Sequence, residues 1–451
     1  MSTPVPASGD PSGSMAAHGS RLDPHLARYA ARTHGMTASE IRALFSVASR
    51  PEVVSLAGGM PNIAALPMDV VAASVAEMLS KRGHVALQYG SGQGDPILRE
   101  QICEIVGLQG VHPHPDDVVV TVGSQMALDL VTRIFCDPGD VILAEAPSYV
   151  GALGVFRAYQ VDVEHVAMDE HGLIPEALRD SLIALAAQGR APKFLYTIPS
   201  FHNPAGVSQP AERRAEILQI AQSAGVLVIE DDPYGLLGFD GQIPQAMRAQ
   251  DAEGVIYLGS FSKTFAAGIR VGWAVAPHGV REKLTLAAEA AVLCPPAYSQ
   301  LTISTYLATQ PWMDQVKTFR EVYRERRDAT LESLDQHMPE GATWTKPDGG
   351  FYVWVTLPPG MDATAMLPRA ITARVAYVPG TAFYMDGQGR RSMRLSYCFP
   401  EPDRIREGVR RLAGVIEEEL ELISTFGTAI GAPGTHGAGA PETTAPGPEV
   451  M

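Results

Sequence analysis

The chain has only four cysteines in 451 residues, Cys103, Cys136, Cys294 and Cys398, and no pair of them stands as C-x-x-C. A disulfide framework and a cysteine-built zinc site are therefore not expected, whereas a reducing, cytoplasmic setting is. Long apolar runs are missing as well. No stretch reaches the ~18 residues that a membrane-crossing helix needs. Basic charge is in deficit, with 35 Lys and Arg against 50 Asp and Glu and a formal net charge of −15. Nucleic acid and anionic membrane surfaces, which call for basic patches, are not expected partners. The first twenty residues have no apolar core of the secretory type, so no signal peptide is expected. No repeat of solenoid or propeller period is present.

What is there is an ordinary globular balance, 46% hydrophobic and 19% charged, on a chain long enough for one large core and a smaller domain. Residues 1–36 and 427–451 read as flexible tails, the second being Gly/Ala/Pro/Thr low complexity that buries too little to fold. Between them we expect an arm at 37–64 joining the smaller domain, a large domain over 65–325 and a small C-terminal domain over 326–426. In the large domain, apolar runs at 118–122, 141–145, 193–199, 226–231, 255–260 and 272–277 alternate with helical patterns at 125–135, 211–224 and 281–290. Strands of this kind predict an α/β fold, a mostly parallel sheet with helices on both faces. A long helix at 315–337 leads to strand-like runs at 349–358, 375–380 and 393–399 and a last helix at 402–422, a compact α+β pattern.

Ligands of such sheets gather at the carboxyl ends of the strands. Ser124, Tyr149, Asn203, Asp231 and Lys263 all fall there. Lys263 lies in Ser260-Phe261-Ser262-Lys263-Thr264, with Arg270 seven residues on. A semi-buried lysine beside another cation loses its proton readily and becomes an amine able to form an imine. Ser260, Ser262 and Arg270 supply donors for a phosphate. Gly123-Ser124-Gln125 closes a strand and opens a helix, so its amides would face the same anion. This combination points to pyridoxal phosphate. Asp231 would keep the pyridine nitrogen protonated, with Asp232 as the alternative. Tyr234 and Asn203 would reach the phenolic oxygen, and Tyr149 would stack on the ring. Arg394 would bind a substrate carboxylate, and Arg42 a second carboxylate or the cover of the site. No metal is expected, since no His or Cys accompanies Glu230-Asp231-Asp232.

In order along the chain, SEIRALF, SLAGGMPN, LQYGSGQGDPILRE, GSQMALDL, APSYVGAL, HNPAG, EDDPYG, SFSKTFAAGIRVGW and MRLSY resemble the fold-type I pyridoxal-phosphate aminotransferases of class I/II. The resemblance runs from about Ser39 to Leu422 and is nearest to the branch of 2-aminoadipate, kynurenine and aromatic aminotransferases. It implies that Lys263 holds the cofactor and shuttles the proton, and that Asp231 pairs with the pyridinium. It implies further that Tyr234 and Asn203 serve the phenolic oxygen, that Tyr149 stacks, and that Ser124, Gln125, Ser260, Ser262 and Arg270 bind the phosphate. Arg394 would take the substrate carboxylate, aided by the backbone at Gly59. Tyr89 would enter the site of a second subunit, giving a homodimer with shared active sites.

The implied reaction moves an amino group between an L-amino acid, aromatic or 2-aminoadipate-like, and a 2-oxo acid, with glutamate/2-oxoglutarate as the shared pair. Other outcomes on the same cofactor, a β-lyase, decarboxylase or amino-acid oxidase, stay as the alternative. A transcription regulator would need a helix-turn-helix module in the roughly 38 polar residues before the resemblance begins, and they do not read as one. The chain departs from the family at Ala267, where proline is frequent, and at Leu293–Tyr298, which lacks the usual hydroxyls or histidine.

Overall fold

The computed structural model describes residues 25, 28–35 and 50–427. After a two-residue strand, β1 (Val54–Ser55), the chain builds eight strands of one sheet. They are β2 (Val118–Thr121), β3 (Val141–Ala146), β4 (Asp162–Asp169), β5 (Gly172–Leu173), β6 (Phe194–Thr197), β7 (Leu227–Asp231), β8 (Val255–Ser260) and β9 (Gly272–Val275). Their spatial order is β2-β9-β8-β7-β6-β3-β4-β5. The run from β8 through β7, β6 and β3 to β4 is parallel, while β9 is inverted between β2 and β8, and β5 folds back on β4.

Alternation along each strand assigns its residues to two cores. Ile142, Ala144, Tyr196, Ile229 and Ile256 pack under helices Ser124–Phe135, Val150–Ala158 and His278–Val292. On the other face, Val141, Leu143, Leu195, Val228 and Val255 pack under helices Pro175–Ala187 and Ala211–Ser223. Both faces are covered, so the strands read as continuous apolar runs in sequence.

Beyond the long helix Trp312–His337, β10 (Thr343–Trp344), β11 (Tyr352–Thr356), β13 (Val378–Pro379) and β14 (Ser392–Ser396) form an antiparallel sheet in the order β10-β11-β14-β13. The short β12 (Val375–Ala376) pairs in parallel with β1, Val54 opposite Val375, which fastens the segment after residue 50 to this region. The final helix, Pro402–Phe426, packs along Trp312–His337.

Element ends differ from the sequence reading for local reasons. The strand expected over 193–199 stops at Thr197, because the Ile198 amide donates to the Glu145 carboxylate at 2.8 Å instead of continuing the ladder. The strand expected over 272–277 stops at Val275, since Pro277 already caps the next helix, which starts at His278 rather than Arg281. The long helix starts at Trp312 rather than Gln315, following Pro311, and the last one runs to Phe426 rather than Leu422. Strand β4 was not anticipated; it lies near the sheet edge and carries the half-exposed polar sequence Asp-Val-Glu-His.

Candidate active site

One cleft of about 370 Å³ opens at the carboxyl ends of β2, β3, β6, β7 and β8. Of the residues singled out in the sequence, it is lined by Ser124, Gln125, Tyr149, Asn203, Asp231, Tyr234, Ser260, Ser262, Lys263, Arg270, Gly59 and Arg394. Tyr89 is 78% exposed on the described chain and does not line the cleft, and Arg42 lies outside the described residues.

Lys263 follows β8 by three residues, in a short turn. Its Nζ donates to the carbonyl of Gly59 at 2.8 Å, joining residues 204 positions apart. Desolvation by the surrounding protein, with repulsion from Arg394 and Arg270, pushes this amine down to about 8. A far larger share of it is neutral near neutral pH than of an ordinary lysine.

At one end of the cleft stands an anion cradle. Gly123, at φ 80°, turns the chain from β2 into helix Ser124–Phe135, whose start has no side-chain cap, so its first amides lack intrahelical partners. A Cβ at Gly123 would strike the Arg270 guanidinium, which explains why glycine stands there. Arg270 itself sits in the left-handed region at φ 53° and donates to Ser262 Oγ at 3.3 Å and to the Val122 carbonyl at 3.1 Å. Ser260 Oγ lies 2.8 Å from Ser262 Oγ.

Asp231, at the end of β7, also lines the cleft and is 5% exposed. Its Oδ2 accepts a hydrogen bond from Tyr196 at 2.7 Å, and its Oδ1 is buried without a partner. Burial first, and the charge of Asp232 besides, push this carboxyl up to about 7, against the Tyr196 hydrogen bond. Asp232, the alternative in the sequence, belongs to another environment: it is held by Gln109 and lies 3.4 Å from the Tyr257 hydroxyl, away from the cleft. Glu230 accepts from the Met247 and Arg248 amides. Strand alternation thus sets Asp231 on the opposite face from Glu230 and Asp232.

Arg394 reaches the cleft from β14 and is 2% exposed. Its Nη1 donates to Asn203 Oδ1 at 2.9 Å and its Nη2 to the Ala57 carbonyl at 2.7 Å. Its guanidinium lies 4.2 Å from the ring centre of Tyr352 and 5.1 Å from that of Phe383. The Tyr234 hydroxyl is 3.4 Å from that of Tyr352. Tyr149 precedes helix Val150–Ala158, and its hydroxyl lies 3.3 Å from Gln125 Oε1.

Contributors missed in the sequence include Tyr196, Tyr352 and Met60. Tyr352 and Met60 line the cleft, and Tyr196 stands behind Asp231. Both tyrosines sit inside apolar strand runs, where nothing but the register of neighbouring strands would have singled them out. Among the described residues no group of three or more His, Cys, Asp or Glu is arranged to hold a metal.

A weakly basic lysine, an amide-and-arginine cradle and a buried carboxylate with one free oxygen fit the three polar ends of pyridoxal phosphate, an amine-reactive carbonyl, a phosphate and a ring nitrogen. The fold and cleft are those of a pyridoxal-phosphate enzyme of fold type I. The family model for aminotransferase class I and II matches residues 51–412. The aromatic-amino-acid aminotransferase 1 of Thermococcus litoralis is 40% identical over 390 residues, 86% of this chain and 93% of that protein. Among solved structures, the kynurenine aminotransferase of Pyrococcus horikoshii, in complex with PMP, superposes with a TM-score of 0.84 at 40% identity, covering 87% of this chain and 97% of that one. The α-aminoadipate aminotransferase of Thermus thermophilus, complexed with N-(5'-phosphopyridoxyl)-L-leucine, gives 0.81 at 37%, covering 88% and 99%. The chain belongs to the class I and II aminotransferases, enzymes that use pyridoxal phosphate to move an amino group between an amino acid and a 2-oxo acid.

Proposed function

We propose that this aminotransferase takes L-amino acids with aromatic or long, 2-aminoadipate-like side chains, with glutamate/2-oxoglutarate as the exchanging pair. The observation that carries the reading is Arg394: it is buried, lies over two aromatic rings, and has no carboxylate counter-ion among the described residues. Its Nε also lacks a partner. A desolvated, unpaired guanidinium is costly, and a substrate carboxylate offsets that cost. Met60, Val150, Ile198 and Tyr352 supply apolar lining for a large side chain. Relatives named for aromatic amino acids, kynurenine and 2-aminoadipate support the same class.

Bound in this cleft, the cofactor supplies the carbonyl that accepts the amino group and the ring that withdraws electrons. The chain supplies the rest. Gln125, Ser124, Ser260, Ser262 and Arg270 anchor the phosphate, and Tyr149 covers the ring. Asp231 keeps the ring nitrogen protonated, and Tyr234 and Asn203 serve the phenolic oxygen. Arg394 and the Gly59 backbone orient the substrate carboxylate, so that its Cα proton faces Lys263. The Lys263 amine, neutral in a useful fraction, would take that proton from Cα and release it to the cofactor carbon that has gained the amino group. Arg42 stays assigned to a second carboxylate or to the cover of the site.

The working unit is a homodimer in the cytoplasm, Tyr89 reaching into the partner's site. Tyr89 and Leu87 are 78% and 77% exposed, and Gly90 next to them borders Ala297. An apolar patch of this kind calls for a cover. The chain divides functionally into the arm at 37–64, the cofactor domain at 65–325 and the small domain at 326–426.

A panel of amino donors with 2-oxoglutarate, read by glutamate formation, tests the substrate class. Aromatic and long-chain donors should lead the series. A lead by alanine or aspartate sinks the preference. Continued turnover without an acceptor oxo acid, beyond one equivalent, sinks transamination itself.

A further inference from the structure

Asp231 is served from behind by a residue to which no role has been given. Tyr196 lies on β6, fully buried, one strand away from β7, which ends at Asp231. Its ring is packed edge-on to Phe156, with centroids 5.6 Å apart, and therefore has little freedom to swing. Its hydroxyl donates to Asp231 Oδ2 at 2.7 Å. The other carboxylate oxygen, Oδ1, is buried with no partner, and Asp231 lines the cleft. One oxygen is thus occupied by the protein, while its twin is without a partner on a residue that lines the cleft. Burial and the neighbouring Asp231 charge hold the Tyr196 hydroxyl well above its ordinary range, so it remains a donor and never competes as an anion.

We infer that Tyr196 is the positioning residue of the cofactor site, pinning Asp231 Oδ2 so that Oδ1 is presented to the ring nitrogen of pyridoxal phosphate. The inference rests on the reading of Asp231 as the partner of that nitrogen. Tyr196 touches neither substrate nor cofactor and acts through Asp231 alone. A hydrogen bond to a buried carboxylate is among the stronger ones, and removing it loosens the carboxylate in both orientation and charge state. Replacing the tyrosine by phenylalanine removes the hydroxyl and leaves the packing against Phe156.

Two probes separate this role from plain packing: pyridoxal phosphate, and its carbocyclic analogue in which C–H replaces the ring nitrogen. Each is added to full-length apoprotein, and its dissociation constant is read from the absorbance of the bound chromophore. In Tyr196→Phe, affinity for pyridoxal phosphate should fall roughly tenfold, while affinity for the analogue stays as in the unsubstituted protein. In an Asp231→Asn background the same substitution should cost nothing further, because the two residues act as one unit. An equal loss for both probes, or full additivity with Asp231→Asn, overturns the inference and makes Tyr196 a packing residue. So does an unchanged affinity for pyridoxal phosphate. Should Asp231→Asn itself weaken both probes alike, the reading of Asp231 fails first, and Tyr196 falls with it. Thermal denaturation of each apoprotein checks that the comparison is between folded chains.

Discussion

Arg394 Nη1 donates to Asn203 Oδ1 at 2.9 Å, tying β14 to the loop after β6 across 191 residues of sequence. The contact fixes both partners. Asn203 has its carbonyl oxygen occupied, which leaves its amide hydrogens for the cleft, and the guanidinium is held by two hydrogen bonds over the rings of Tyr352 and Phe383. A planar fork held in this way recognises a carboxylate by two parallel hydrogen bonds. Arg394→Lys keeps the charge and loses the fork. The expected outcome is a KM raised on the order of a hundredfold for amino acid and oxo acid alike, since both carry the same carboxylate. Steady-state kinetics in both directions checks it, and a change confined to one direction would speak against a shared carboxylate site.

The Lys263 amine, pushed down to about 8, is charged below that pH and neutral above it. About a tenth of it is neutral at pH 7, against well under a thousandth for a lysine at its ordinary value near 10.4. Capture of pyridoxal phosphate by the apoprotein needs the neutral amine. Its rate should climb about tenfold from pH 6 to 7 and level off above pH 8, as read by stopped-flow absorbance. A rate still climbing tenfold per unit at pH 9 would mean an unperturbed lysine. Lys263→Ala should retain the cofactor without a covalent link, so that borohydride no longer fixes it, and should lose turnover.

Much of this site is legible in the sequence because its polar residues interrupt apolar strands at their ends. Lys263, Asp231, Asn203, Tyr149 and Ser124 stand out there, and the parallel sheet brings those ends together. Alternation puts Asp231 on a face with Ile229 and Asp232 on the opposite one with Val228, but which of the two meets the cleft is decided only by the fold. Tyr196 and Tyr352 were not legible. Each lies within an apolar run, and its importance depends on which residue the neighbouring strand places opposite. Tyr352 sits opposite Ser396 in the β11–β14 ladder, two residues from Arg394, a relation that only long-range register creates. Strand β4 escaped notice because it is covered by only two residues of the edge strand β5 and keeps polar residues along the rest.

Gly123 is required twice over, by its φ of 80° and by the Arg270 guanidinium occupying the space of a Cβ. Gly123→Ala must therefore strain the backbone and displace the arginine. The fold should lose about 1–2 kcal/mol, seen as a lower midpoint in urea denaturation of the apoprotein. Affinity for pyridoxal phosphate should fall further than that stability loss alone would produce, at least tenfold, because the displaced group belongs to the anion cradle. Affinity for pyridoxal, which lacks the phosphate, should change much less. Equal losses for the two compounds would remove the cradle from Gly123 and Arg270.

Tyr352 offers Arg394 its ring face at 4.2 Å and Tyr234 its hydroxyl at 3.4 Å, and the two contributions come apart by substitution. A cation held over an aromatic face is worth about 2 kcal/mol when desolvated, and Arg394 is 2% exposed. The hydroxyl contact is long for an O–H···O hydrogen bond and contributes little. Tyr352→Phe should therefore leave KM for the amino acid within about threefold, whereas Tyr352→Leu should raise it about tenfold or more. The inhibition constant of a simple carboxylate, measured against the amino acid, should follow the same order, since it reports Arg394 without the chemistry. If phenylalanine proves as damaging as leucine, the hydroxyl rather than the ring is what this cleft uses. The 3.4 Å contact with Tyr234 would then be the place to look for its effect on the phenolic oxygen of the cofactor.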